Sequence, residues 1–88
     1  MSYLDEVRAE IECIDQALVR LIGARVRAAR RAAAAKRVAG LPMVDAAQEA
    51  AVVQRAAALA EDLELPAEHI KDVFAQLIGL ARRAEVER

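Results

Sequence analysis

From Tyr3 to Ala39 the sequence holds no proline and a single glycine, Gly23, so nothing in it stops a helix. A helix over residues 3–39 would run about 55 Å at 1.5 Å per residue, nearly twice the diameter of a compact domain of this size. It cannot fold back on itself. Counting in sevens from Leu4 picks out Leu4, Val7, Ile11, Ile14, Leu18 and Leu21, then Arg25, Ala28, Ala32 and Ala35, a coiled-coil seam with one cation inside it. No Asp or Glu lies between Gln16 and Gly40, so no acid within a turn or two can neutralise Arg25. An unpaired buried guanidinium would cost several kcal/mol, which calls for an anion from another segment or from a ligand. The alternative is an arginine that snorkels to the surface.

Composition narrows the class. The 88 residues are 57% hydrophobic, yet include one Phe, one Tyr, no Trp, three Gly and two Pro, which reads as one all-α domain over residues 1–88. A chain of this length buries only about 60–65% of its unfolded surface, and alanine-rich cores are weak, so a homodimer is the expected remedy. Thirteen basic against 14 acidic residues leave a net charge of -1, which argues against nucleic acid as the main partner. The asymmetry is local instead: Arg20, Arg25, Arg27, Arg30, Arg31, Lys36 and Arg37 fall within residues 19–37 without an acid. Cys13, the sole cysteine, has no partner in the chain and reads as a reduced thiol. No apolar run reaches the roughly 18 residues of a membrane span, and no leader pattern opens the chain. The expectation is a soluble, cytoplasmic protein that does not engage a membrane.

Local stop signals divide the chain into three helices. Ser2 and Asp5 have capping-box spacing, and Gly40 and Pro42 end the first helix. Asp45 and Gln48 predict a second start, with a helix to about Glu61. Leu65-Pro66 predicts the third, with Pro66 at its first position and its end near residue 86. In this third helix Ile70, Val73, Phe74, Leu77, Ile78 and Ala81 form an apolar stripe, which Glu85 continues.

Few polar residues stand out. Arg8, Arg25 and Lys36 lie on related faces of the first helix, but Arg8 and Lys36 are about 42 Å apart along its axis. They cannot meet around one small ligand in one chain. In an antiparallel pairing of two such helices, Arg8 of one copy approaches Arg25 or Lys36 of the other and two equivalent cationic pockets result; otherwise Arg8 is a solvated surface residue. Glu85 either turns outward at the helix end or is buried with its pKa raised by desolvation. His69 and Cys13 have no companions at metal-ligand or nucleophile–base spacing, and there is no phosphate-binding glycine loop. No metal or cofactor is expected, and any catalysis must proceed by holding an anion.

Taken in order, these positions resemble the all-α (type II) chorismate mutase family. Val7-Arg8-Ala9-Glu10-Ile11 with Ile14-Asp15 is similar to its opening "LR..I..lD", and Leu21-Ile22-Gly23-Ala24-Arg25 to its "LL..R". Lys36 falls on its lysine, Pro42-Met43-Val44-Asp45 through Gln48-Glu49 on its "P..D..RE", and Ile70 and Phe74 on its "I...F..i". The resemblance implies three helices per chain entwined in a homodimer, with two active sites shared between subunits. It implies a Claisen rearrangement of chorismate, a small dicarboxylate, to prephenate, with no cofactor. Carried over by position, Arg8 of the partner and Arg25 would grip carboxylates, and Lys36 would bind a carboxylate and the ether oxygen where negative charge develops. Asp45 and Glu49 would face the C4 substituent, and Glu85 would bond the ether oxygen from the opposite side.

Three positions depart from the family pattern. Gln48 stands where an arginine is usual, Ala81 where a small hydroxyl residue is often found, and Glu85 where glutamine is frequent. Loss of a cation at 48 makes the corner of Asp45 and Glu49 more acidic, which suits an ammonium. The alternative reading is therefore a 4-amino-4-deoxychorismate mutase of specialised metabolism. An isochorismate-pyruvate lyase fits Asp45 and Glu49 less well, and a non-catalytic helical dimerisation module leaves Arg25 and Glu85 unexplained.

Glu85 generates a test. An ether oxygen only accepts hydrogen bonds, so Glu85 must be protonated to serve it, and activity should fall as pH rises. Glu85→Gln should flatten the alkaline side of the kcat/KM profile and leave activity at low pH similar; an unchanged profile would remove Glu85 from this role.

Overall fold

The computed structural model describes residues 2–86, with side chains described from 2 to 84. Three helices follow one another, α1 (Tyr3–Ala39), α2 (Ala46–Asp62) and α3 (Ala67–Val86), with no strand among the described residues. The fold is all-α, as expected, with a very long first helix.

Each boundary has a local cause. Ser2 Oγ accepts from the Asp5 amide at 3.1 Å while the Ser2 amide donates back to the Asp5 carboxylate, the reciprocal pair of a capping box. Gly40 ends α1 in the left-handed conformation (φ 70, ψ 26), with Leu41 N–H bonded to Lys36 C=O and Gly40 N–H to Arg37 C=O, the two bonds of a Schellman motif. Asp45 caps α2 by accepting from the Gln48 amide at 3.0 Å. The end of α2 repeats the Schellman pattern without glycine: Leu65 N–H reaches Ala60 C=O, Glu64 N–H reaches Glu61 C=O, and Glu64 itself sits at φ 59. Pro66 lies one position earlier than expected. α3 begins at Ala67, and the Pro66 carbonyl accepts from the Ile70 amide. A residue without an N–H loses nothing in that place, because the first amides of a helix have no partner within it.

α3 is the middle element. α2 packs on α3 and α3 on α1, whereas α1 and α2 do not pack on each other. Among the described residues the buried core is all alanine: Ala33 of α1, Ala56, Ala57 and Ala60 of α2, and Ala81 of α3. Small side chains allow close helix approach but remove little apolar surface from water, so this core contributes little per residue.

The shape follows from α1. The chain measures 57 × 29 × 15 Å, and its radius of gyration is 16.4 Å, against about 12 Å for a compact chain of this length. α2 and α3 cover only the C-terminal part of α1. Every residue from Arg8 to Leu21 is exposed, and the seam residues Leu4, Ile11, Ile14, Leu18 and Leu21 each leave 50–66% of their surface open. None of the described helices is long and apolar enough to cross a membrane.

The two left-handed helix ends predict opposite mutational effects. Gly40→Ala puts a Cβ at a positive φ and should destabilise by about 1 kcal/mol, while Glu64→Gly relieves the same strain and should stabilise by up to about 1 kcal/mol. Thermal midpoints at one fixed protein concentration read both; equal signs would contradict the assignment.

Candidate active site

Five of the eight residues singled out in the sequence converge on one cleft of about 220 Å³. Arg25 and Lys36 reach it from α1, Gln48 and Glu49 from α2, and Ala81 from α3. Ala29, Ala32, Ala33, Met43, Val52, Ile78 and Arg82 complete its lining. The alanines of α1 have a direct role here. Ala29, Ala32 and Ala33, on the face between Arg25 and Lys36, leave a hollow floor, and the two cations stand about three turns apart at its ends.

Arg25 is half-buried, and its guanidinium carbon lies 5.9 Å from the centre of the Phe74 ring. That contact is at the outer range of a cation–π interaction and holds the charged group against α3 while its N–H donors stay available. No carboxylate pairs with Arg25 among the described residues. Lys36 donates from Nζ to the Met43 carbonyl at 3.3 Å, which ties its ammonium to the loop between α1 and α2. It too has no acidic partner among the described residues.

Glu49 does have a partner. Its carboxylate forms an ion pair with Arg82 Nη2, across from α2 to α3. Sequence reasoning missed Arg82, although a signal was present: it stands four residues after Ile78 and next to Ala81, on the edge of the apolar stripe of α3. The ion pair itself was not readable, because it depends on how α2 and α3 cross.

Two candidates, Arg8 and Asp45, are not in the cleft. Arg8 is exposed on the uncovered half of α1, 17 residues from Arg25, or about 25 Å along the axis. Asp45 lies just outside, at the amino end of α2, where it lines an adjoining hollow with Lys36, Leu41, Pro42, Val44 and Ala46. The Glu85 side chain falls outside the described residues. Two further hollows, one along Glu12, Asp15, Gln16, Val19 and Arg20 and one along Arg27, Arg30, Arg31 and Ala34, run on α1 alone. A single helix gives no opposing wall, so neither encloses a ligand as the three-helix cleft does.

The charge arrangement defines what the cleft can hold. Glu49 and Arg82 balance each other, so among the described residues Arg25 and Lys36 are left as two cations over an apolar floor, and a small molecule with two anionic groups fits that arrangement. Among the described residues no three His, Cys, Asp or Glu side chains are grouped as a metal ion would need.

The sequence model described as chorismate mutase type II matches residues 7–86, nearly the whole chain, from the second turn of α1 to the end of α3. No curated protein matches the sequence. The α1 seam, the two cations of the cleft and this match agree, and the chain belongs to the type II chorismate mutase family, a family of isomerases.

Proposed function

We propose that the protein rearranges chorismate to prephenate in a cleft that a second copy of the chain completes. The observation that carries this reading is the convergence of Arg25 and Lys36, both without carboxylate partners among the described residues, on one cleft. Chorismate carries two carboxylates. Its reaction breaks a carbon–oxygen bond as a carbon–carbon bond forms, and negative charge builds on the departing ether oxygen. Arg25 binds a carboxylate through its fork of N–H groups, and Lys36 binds the other and faces the ether oxygen. Holding both ends of a flexible dianion favours the folded reactive conformer, and the Lys36 ammonium stabilises the charge that develops.

Two features support the second copy. A compact monomer of 9.5 kDa would expose about 5,000 Å², whereas this chain exposes 6905 Å². The excess of roughly 1,900 Å² per chain, doubled, falls within the range of obligate dimers, about 2,000–5,000 Å². The cleft of about 220 Å³ is also smaller than complete small-molecule sites, which run from roughly 300 Å³ upward. Two α1 helices packed antiparallel through their seams bring Arg8 of the second copy to the cleft as a third cation and close its open side.

Incubation with chorismate, followed by NMR, should show prephenate as the product. Arg25→Lys keeps the charge but loses the fork, and should lower kcat/KM at least about tenfold, the equivalent of 1.4 kcal/mol, with helicity retained. Absence of prephenate would overturn the proposed reaction, and wild-type kinetics in Arg25→Lys would return Arg25 to a structural role.

A further inference from the structure

We propose that Arg82 sets the substrate preference of the cleft: by neutralising Glu49 from α3, it suits the C4 corner to a hydroxyl and not to an ammonium. The inference rests on the mutase reading above. Gln48 leaves α2 without a cation beside two acids, and a corner with both acids free would attract an ammonium. The folded chain leaves neither acid free. Asp45 accepts the Gln48 amide at 3.0 Å, so its charge is set against the amino end of α2. Glu49 is paired with Arg82, and both side chains line the cleft beside Arg25 and Lys36. The cation absent at 48 is supplied by the next helix.

Local charge decides the preference. A hydroxyl donates one hydrogen bond and accepts others, so it can bond to either member of the Glu49–Arg82 pair. An ammonium only donates, and it would meet the Arg82 guanidinium as a like charge next to the carboxylate it seeks. The side chains of Glu49 and Arg82 are 33% and 48% exposed, so the pair adds little to stability. Its consequence lies in the charge presented to the substrate.

The test compares kcat/KM for chorismate and for 4-amino-4-deoxychorismate, with products identified by NMR. The wild type should prefer chorismate. Arg82→Met keeps an unbranched stem and removes the cation, and should move the ratio toward the amino substrate by about tenfold or more, as one unmasked charge at close range implies. Arg82→Lys should retain the wild-type preference, and Gln48→Arg added to Arg82→Met should restore it. Glu49→Gln reverses the sign, because it leaves Arg82 unbalanced and should move the ratio further from the amino substrate. A ratio unmoved by both Arg82→Met and Glu49→Gln, or a wild-type preference for the amino substrate, would overturn the inference. Turnover of neither substrate by the wild type would instead overturn the mutase reading on which it rests.

Discussion

The structure depends on an apolar seam that its own chain does not cover. Leu4, Ile11, Ile14, Leu18 and Leu21 lie on a part of α1 that α2 and α3 do not reach, and they remain at least half exposed. The core at the other end of α1 is made of alanines, which gather little apolar area, so the seam holds much of the hydrophobic surface still to be buried. In the proposed dimer a second copy would bury it and supply what the single chain lacks. The same act would bring Arg8 to a cleft that one chain leaves open. Stability and catalysis are therefore linked in the proposed dimer: the helix too long for one domain is also the strut that carries a cation into its neighbour's site.

Within the cleft, each helix contributes a different part. α1 supplies Arg25 and Lys36 with a floor of alanines between them, α2 supplies Gln48 and Glu49, and α3 supplies Ala81 and Arg82. Because α3 lies between the other two helices in the packing order, it sets where the parts meet. Phe74 braces Arg25, and Arg82 engages Glu49, so α3 touches one charged group from each neighbouring helix. A shift of α3 along its axis would disturb both at once. The alanine floor explains why a helix of high helical propensity lacks bulk where bulk would fill the site.

Local features were readable from the sequence, and features of helix crossing were not. The Ser2 and Asp45 caps and the Gly40 stop involve residues three to five apart, so spacing alone located the helix ends. The seam of α1 was readable because its period is regular. Glu64 in the left-handed region was not, since no glycine marks it. For Arg25 the sequence calls for an anion from another segment or from a ligand, or else a side chain that snorkels outward; the contact with the Phe74 ring is one that only the packing of α1 on α3 reveals. Along the sequence the acidic corner consists of Asp45, Gln48 and Glu49 alone. Its actual charge depends on Arg82, 33 residues beyond Glu49, and on the use of Asp45 as a cap.

The central claim, that two chains share each site through paired α1 helices, is tested most directly by mixing two defective variants. Arg8→Ala and Lys36→Ala, each inactive alone, are unfolded together and refolded. In a mixed dimer one site receives both substitutions and the other neither. Random association makes half of the dimers mixed, each with one intact site of two, so about a quarter of wild-type chorismate mutase activity should return. No recovery from dimers shown to be mixed would contradict the shared site and leave Arg8 as a surface residue.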